Sequence, residues 1–253
     1  MARIITICNA KGGVGKTTTS TSLCAYLAAM GKYVLLVDMD AQANATVGLG
    51  INIKEHDSNV YHALVDDQNP EVLIKKTSIL GFDILPAAPS LAGATVELVS
   101  MDERETRLRK VLNSVRTNYD YIIIDSPPSL SLLTVNALAA SERVVIPVQC
   151  EYYALEGLGQ LLGTIELIRN SINPDLQVLG VLLTMYDRRS QLSNQVMNEV
   201  HKNFPGRVFD AVIPRTVSLA EAPSFGKTIM QFDPDSKAAK AYRQLAEEII
   251  RLT

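Results

Sequence analysis

A doubly wound α/β fold on a predominantly parallel sheet is what this sequence predicts, and three observations carry the expectation. Short β-branched runs alternate with longer stretches of helical pattern along the whole chain, the order that builds strand–helix–strand crossovers. The runs are apolar throughout rather than at every second residue, as in strands covered on both faces. A glycine-rich turn bearing lysine follows the first run and opens the first helix, at the end of the sheet where such folds bind ligands.

Taken in order, RIITIC (3–8) is the first strand and is followed by a helix over 16–30. YVLLVDM (33–39) and FDILPA (82–87) are the next strands, and a helix is expected over 91–116. YIIID (121–125), a helix over 130–140 and RVVIPVQ (143–149) continue the alternation. Then come a helix over 153–171, QVLGVLLT (177–184), a helix over 190–203, RVFDAVI (207–213) and a helix over 236–251. The last carries an apolar stripe, Ala238, Tyr242, Leu245 and Ile249, spaced to dock on a sheet. No repeat, low-complexity tract or linker interrupts the pattern, so residues 1–253 read as a single domain.

The 253 residues are 47% hydrophobic and 20% charged, enough for one sizeable core. No apolar run is long enough to cross a membrane, and no apolar leader precedes the first strand. Cys8, Cys24 and Cys150 are far apart in apolar sequence, which reads as reduced core thiols of a cytoplasmic protein. The net charge of −3 is unevenly spread: residues 1–187 hold 14 Lys+Arg against 20 Asp+Glu, and residues 188–253 hold 10 against 7. A basic face on the C-terminal quarter, able to steer a polyanion, follows from that asymmetry.

NAKGGVGKTT, residues 9–18, nearly spells the phosphate loop G-x-x-x-x-G-K-[ST]. The first glycine of the pattern is replaced by Ala10, and a second cation, Lys11, stands beside it. Backbone N–H groups of Gly12, Gly13, Val14, Gly15, Lys16, Thr17 and Thr18 can point at phosphate oxygens, helped by the helix N-terminus. Lys16 is expected to neutralise the β- and γ-phosphates of ATP, and the Thr17 hydroxyl to bind Mg²⁺. Two further strands end in carboxylates. Asp125 closes YIIID and suits the water shell of Mg²⁺, an ion that keeps several of its waters. Asp38 and Asp40 stand at the second strand's mouth, with Asp40 on the loop beyond it, placed to orient the attacking water and to serve the metal. The Pro127-Pro128 pair makes a stiff turn after Asp125.

The loop resembles the deviant phosphate loop of the ParA/MinD ATPase superfamily. VLLVDMDAQANATVGLG, YDYIIIDSPPSLSLLTVNAL, VIPVQCEYYALEGL and VIPRTVSLAEAPSFGKTI resemble further blocks of ParA/Soj-type partitioning ATPases, and together they span nearly the whole chain. The resemblance implies a P-loop NTPase-like fold and a homodimer when ATP is bound, with Lys11 of each subunit reaching the phosphates held by the other. It implies that Gly12 and Gly13 let the partner approach, that Asp40 serves hydrolysis in a switch segment, and that Pro214 and Thr216 lie near the adenine. Slow ATP hydrolysis stimulated by a ParB/Spo0J-type activator is implied as well. So is non-specific binding of double-stranded DNA by the ATP dimer, for which Arg188, Arg189, Arg215, Lys227, Lys237, Lys240 and Arg243 are the candidates. Ser218 departs from the family, where arginine is common. A cytoplasmic, nucleoid-associated protein is expected, with no membrane binding. The absence of an N-terminal extension argues against an operator-reading module. The alternative is a membrane-cycling division-site ATPase of the MinD type, but the closing helix carries charges of both signs rather than a lipid-binding face rich only in Lys and Arg. Iron–sulfur carriers with a similar loop need paired thiolates, and this chain has no C-x-x-C.

Overall fold

The computed structural model describes residues 1–54, 57–151 and 154–253. Among these, eight strands form one sheet in the order β3-β4-β2-β5-β1-β6-β7-β8. They are β1 (Arg3–Ile7), β2 (Val34–Asp38), β3 (Lys75–Lys76), β4 (Phe82–Leu85), β5 (Tyr121–Asp125), β6 (Arg143–Gln149), β7 (Gln177–Tyr186) and β8 (Val208–Pro214). Every neighbouring pair is parallel except β3 with β4. The helices are α1 (Lys16–Ala29), α2 (Asn44–Gly48), α3 (Val60–Val65), α4 (Pro70–Leu73), α5 (Leu91–Glu97) and α6 (Arg107–Val115). They continue with α7 (Leu132–Ala140), α8 (Ala154–Ser171), α9 (Gln191–Asn203), α10 (Val217–Glu221), α11 (Ile229–Phe232) and α12 (Lys237–Leu252).

The continuous apolar runs are explained by cover on both faces. Ile5 and Ile7 of β1, Leu36 of β2 and Ile123 of β5 pack with α1 and α12. Ile4, Leu35, Val37, Ile122 and Ile124 point the other way, into α5, α6 and α7, as the two-residue side-chain period requires. On β6 and β7, Val144, Ile146, Val181 and Leu183 face α8 and α9. The stripe on α12 docks as its spacing predicts: Ala238, Tyr242, Leu245 and Ile249 are all buried. The Tyr242 hydroxyl meets that of Thr19 in α1 at 3.3 Å. Cys8, Cys24 and Cys150 are buried free thiols.

Two expectations need correction. The helix expected over 91–116 is two helices. α5 runs into a tight 3₁₀ turn at Leu98–Ser100, Glu103 adopts a left-handed φ of 53°, and α6 starts only at Arg107. Asn136 of α7 fixes the break, accepting from the Leu108 N–H at 3.1 Å and donating to the Arg104 carbonyl at 2.7 Å. The edge strand β3 was not foreseen. Its two exposed lysines run antiparallel to β4, a short charged edge that resists further strand pairing. The expected helix over 153–171 begins at Ala154 in the described part; residue 153 lies outside the described residues.

Candidate active site

The loop between β1 and α1 is shaped by two left-handed glycines, Gly13 (φ 73°) and Gly15 (φ 90°), a backbone region that side chains oppose. Gly15 is the N-cap of α1 and offers no side-chain cap, so the first-turn N–H groups are left for a ligand. The loop is braced from behind. Asn9 donates from Nδ2 to the Pro147 carbonyl at 2.7 Å and accepts from the Lys11 N–H at 3.0 Å. The Thr184 hydroxyl donates to the Val14 carbonyl at 2.8 Å. At Gly12 a Cβ would meet Pro128 Cβ at 3.8 Å, an ordinary contact, and nothing else among the described residues demands glycine there.

The two lysines are held differently. Lys16 is buried and its Nζ donates to the Lys11 carbonyl at 3.0 Å. Burial pulls its ammonium below the usual lysine value, and the Asp125 charge is the main opposing influence. Lys11 points outward: its side chain is 43% exposed, and its Nζ lies 3.3 Å from Glu151 Oε2. An exposed pair of that kind is weak, so the Lys11 ammonium is readily available to another anion.

Gly12, Gly13, Gly15, Lys16, Thr17, Thr18 and Asp40 line one cleft of about 530 Å³. Asp40 stands two residues past the end of β2, where its Oδ1 accepts from the Gln42 N–H at 3.0 Å. Ala43, at the end of this turn, is held at a φ of 52°, a conformation that is costly for a residue with a Cβ. Asp125 lies beneath the cleft, fully buried; Oδ1 accepts from the Ser20 hydroxyl at 2.9 Å and Oδ2 has no hydrogen-bond partner. Asp38 is its register neighbour on β2. Burial raises the pKa of both carboxyls, and their mutual repulsion pushes Asp125 further up. Asp38 is committed to structure: Oδ2 accepts from both the N–H (2.9 Å) and the hydroxyl (2.8 Å) of Thr46 in α2. The orphaned Asp125 Oδ2 fits an ordered water of a magnesium shell. Among the described residues no cluster of three His, Cys, Asp or Glu makes an all-protein metal cage.

Pro214 and Thr216 line a second cavity, of about 310 Å³, with Ile213, Leu219 and Tyr242. Gly15, Thr18 and Met185 border both cavities, so the second continues from the phosphate loop. Four of the seven basic candidates, Arg188, Arg189, Arg215 and Lys237, line one open groove of about 920 Å³ next to it. Lys227, Lys240 and Arg243 are exposed but not in that groove. Arg189 pairs with Asp187 at 3.4 Å and Arg243 with Glu247 at 3.1 Å. Ser218 donates to Asp233 Oδ2 at 2.9 Å. Reading the motifs alone missed Asn44, Val47, Gly48, Met185, Pro223 and Ser224 in the cleft wall. They carry no chemistry a spacing rule would find, although all but Met185 sit within blocks quoted for their resemblance.

A lysine-bearing phosphate loop between a central parallel strand and its helix, with carboxylates on the adjoining strand ends, defines a P-loop nucleotide-hydrolase fold. Residues 2–178 match the family model described as an AAA domain. The chain is 56% identical over 249 residues to the sporulation initiation inhibitor protein Soj of Bacillus subtilis, covering 98% of each chain. It is 50% identical to the chromosome partitioning protein ParA of Myxococcus xanthus, covering 99% of this chain and 89% of that one. Among solved structures, a cobyrinic acid a,c-diamide synthase of Mycobacterium smegmatis with bound ADP and magnesium superposes with a TM-score of 0.88 at 38% identity, covering 99% of this chain and 95% of that one. The cell division ATPase MinD of Pyrococcus furiosus superposes at 0.82 with 29% identity, covering all of both chains. This chain belongs to the Soj/ParA family of chromosome-partitioning ATPases.

Proposed function

We propose that the chain is an ATP-driven switch for DNA segregation, in which two subunits pair around ATP, bind double-stranded DNA without sequence preference, and separate after hydrolysis. The observation that carries this reading is the division of labour between the two loop lysines. Lys16 is buried and committed to its own loop, whereas the Lys11 side chain is exposed and, among the described residues, held by a surface ion pair. One loop thus has a cation for its own nucleotide and one to lend. A lysine supplied by a partner offsets charge on the transferring phosphoryl group, as an arginine finger does.

In this reading the N–H groups of Gly12 to Thr18 hold the phosphates of ATP, and Lys16 neutralises them. The Thr17 hydroxyl takes a place on Mg²⁺, Asp125 holds the ion's water through Oδ2, and Asp40 orients the attacking water. The metal, when bound, offsets charge on the phosphates. Pro214 and Thr216 border the adenine. Relatives bearing the partitioning name support the biological role, and the groove of Arg188, Arg189, Arg215 and Lys237 supports a polyanionic partner. Hydrolysis is slow until a ParB/Spo0J-type activator binds, and the protein resides on the nucleoid. The identity of 56% to Soj against 29% to the MinD of Pyrococcus furiosus favours this over a membrane-cycling role.

The test is co-sedimentation with linear DNA in ATP, ADP or no nucleotide at two salt concentrations, with anionic liposomes in a parallel arm. Binding to DNA in ATP alone, falling steeply with salt as phosphate contacts require, is the expected result. Binding to liposomes and not to DNA would refute it.

A further inference from the structure

Two of the sequence blocks contain glycines that the chemistry of the loop does not use: Gly50, closing VGLG, and Gly226 in PSFGKTI. The fold brings them into contact. Both are left-handed, with φ of 74° and 64°. A Cβ built on Gly226 would lie 2.9 Å from Gly50 Cα and 3.2 Å from Gly50 N, and one built on Gly50 would lie 3.5 Å from Gly226 Cα. Two turns of backbone thus touch where no side chain fits between them. Beside them, a Cβ on Gly48 would lie 3.4 Å from Pro223 Cβ. The contact joins two segments that both line the phosphate cleft, one with Asn44, Val47 and Gly48, the other with Pro223 and Ser224.

What this contact holds is Asp40. From Asp40 a tight turn, with the Ala43 N–H donating to the Asp40 carbonyl at 2.8 Å, leads straight into α2. The near end of α2 is tied to β2 by Thr46 and Asp38. Its far end rests on the 222–226 turn, with α1 alongside. That turn begins where α10 ends, and α10 starts next to Thr216 at the second cavity and the basic groove. We propose that the Gly50–Gly226 contact is a positioning element for hydrolysis: it seats α2, and through it Asp40, against the segment that carries the base cavity and the basic groove. The inference rests on the switch reading given above. It goes beyond it in naming two residues that touch neither phosphate nor metal yet set the geometry of the reacting loop.

The test compares Gly226→Ala, Gly50→Ala and a matched control, Gly81→Ala. Gly81 is also left-handed (φ 80°), and its Cβ would lie 3.2 Å from the Lys32 carbonyl, but it precedes β4 at the opposite end of the sheet from the cleft. Melting temperature, binding of a fluorescent ATP analogue, and kcat and KM for ATP are measured on each. Gly226→Ala is expected to keep analogue affinity and KM within about threefold while kcat falls roughly tenfold or more, because misplacing a reacting group by about 1 Å costs rate rather than binding. Gly50→Ala, whose Cβ has more room, is expected to show a smaller loss of the same kind. Gly81→Ala is expected to lose melting temperature with no such split. An unchanged kcat in Gly226→Ala, or an equal kcat loss in Gly81→Ala at equal loss of melting temperature, overturns the proposal. If Gly226→Ala does not fold, an unchanged kcat in Gly50→Ala overturns it. Wild-type protein that hydrolyses no ATP would instead sink the switch reading itself, so the two failures are distinguishable.

Discussion

Replacing Thr46 with valine tests how the Asp40 loop is anchored. The substitution keeps the shape of the side chain and removes one hydroxyl. That hydroxyl donates to Asp38 Oδ2 at 2.8 Å and accepts from the Ala87 N–H at 3.0 Å, so it joins α2 to β2 and to the segment after β4. Asp38 and Thr46 are both fully buried, and water does not take over either bond without opening the core. Losing a hydrogen bond to a buried carboxylate costs about 1.5–3 kcal/mol, and stranding a buried N–H costs about 1–3 kcal/mol more. The combined loss, about 2.5–6 kcal/mol, is a large share of the stability of an ordinary domain. Urea unfolding followed by circular dichroism measures it, with an unchanged m-value expected. A Thr46→Val protein within about 1 kcal/mol of wild type would show that Asp38 is not clamped by this side chain, and the account of how α2 is seated would fail with it.

Lys11→Ala should abolish ATP-dependent pairing while leaving nucleotide binding intact, and Asp40→Ala should accumulate an ATP-bound dimer; gel filtration with ATP reads both, and an unaltered Lys11→Ala dimer would refute the lending of Lys11. The nucleotide-free protein should melt at a higher temperature as pH is lowered from about 8 to about 6. The sign follows because Asp38 and Asp125 have raised pKa values in the fold, so across that window the folded state binds more protons than the unfolded one and gains stability as pH falls. Asp125→Asn should flatten the slope; an equal slope in that variant would assign the effect to other groups. Charge reversal at Arg188 and Lys237 together, both in the groove and outside the two nucleotide cavities, should weaken DNA binding and reduce its salt dependence without altering ATP affinity, measured by titration at several salt concentrations.

Much of the fold was legible because parallel strands covered on both faces leave an unmistakable trace. VLLVD and YIIID have no polar residue before the last, so their ends and the carboxylates on those ends could be placed from the letters. The phosphate loop was legible for a similar reason: its glycines, Lys16 and Thr17 occur in fixed order between a strand and a helix. What could not be read depended on distant partners. The break between α5 and α6 is set by Asn136, about thirty residues further along. The role of Asp38 hinges on Thr46, and a strand-end carboxylate gives no sign of whether it faces metal or a helix. The cleft walls from Val47 and Pro223 come from segments far apart in the chain, and neither side chain carries chemistry that would mark it as a wall. Basic residues were only partly informative, since clustering four of seven in one groove is a property of the fold and not of their spacing.

The hydrogen bond from the Lys16 ammonium to the Lys11 carbonyl has a consequence for the order of events. That bond ties the buried cation to the peptide of the exposed one. Under the switch proposed above, a triphosphate that takes up the Lys16 ammonium would release the Lys11 peptide before Lys11 reaches across, so filling would come before handshake.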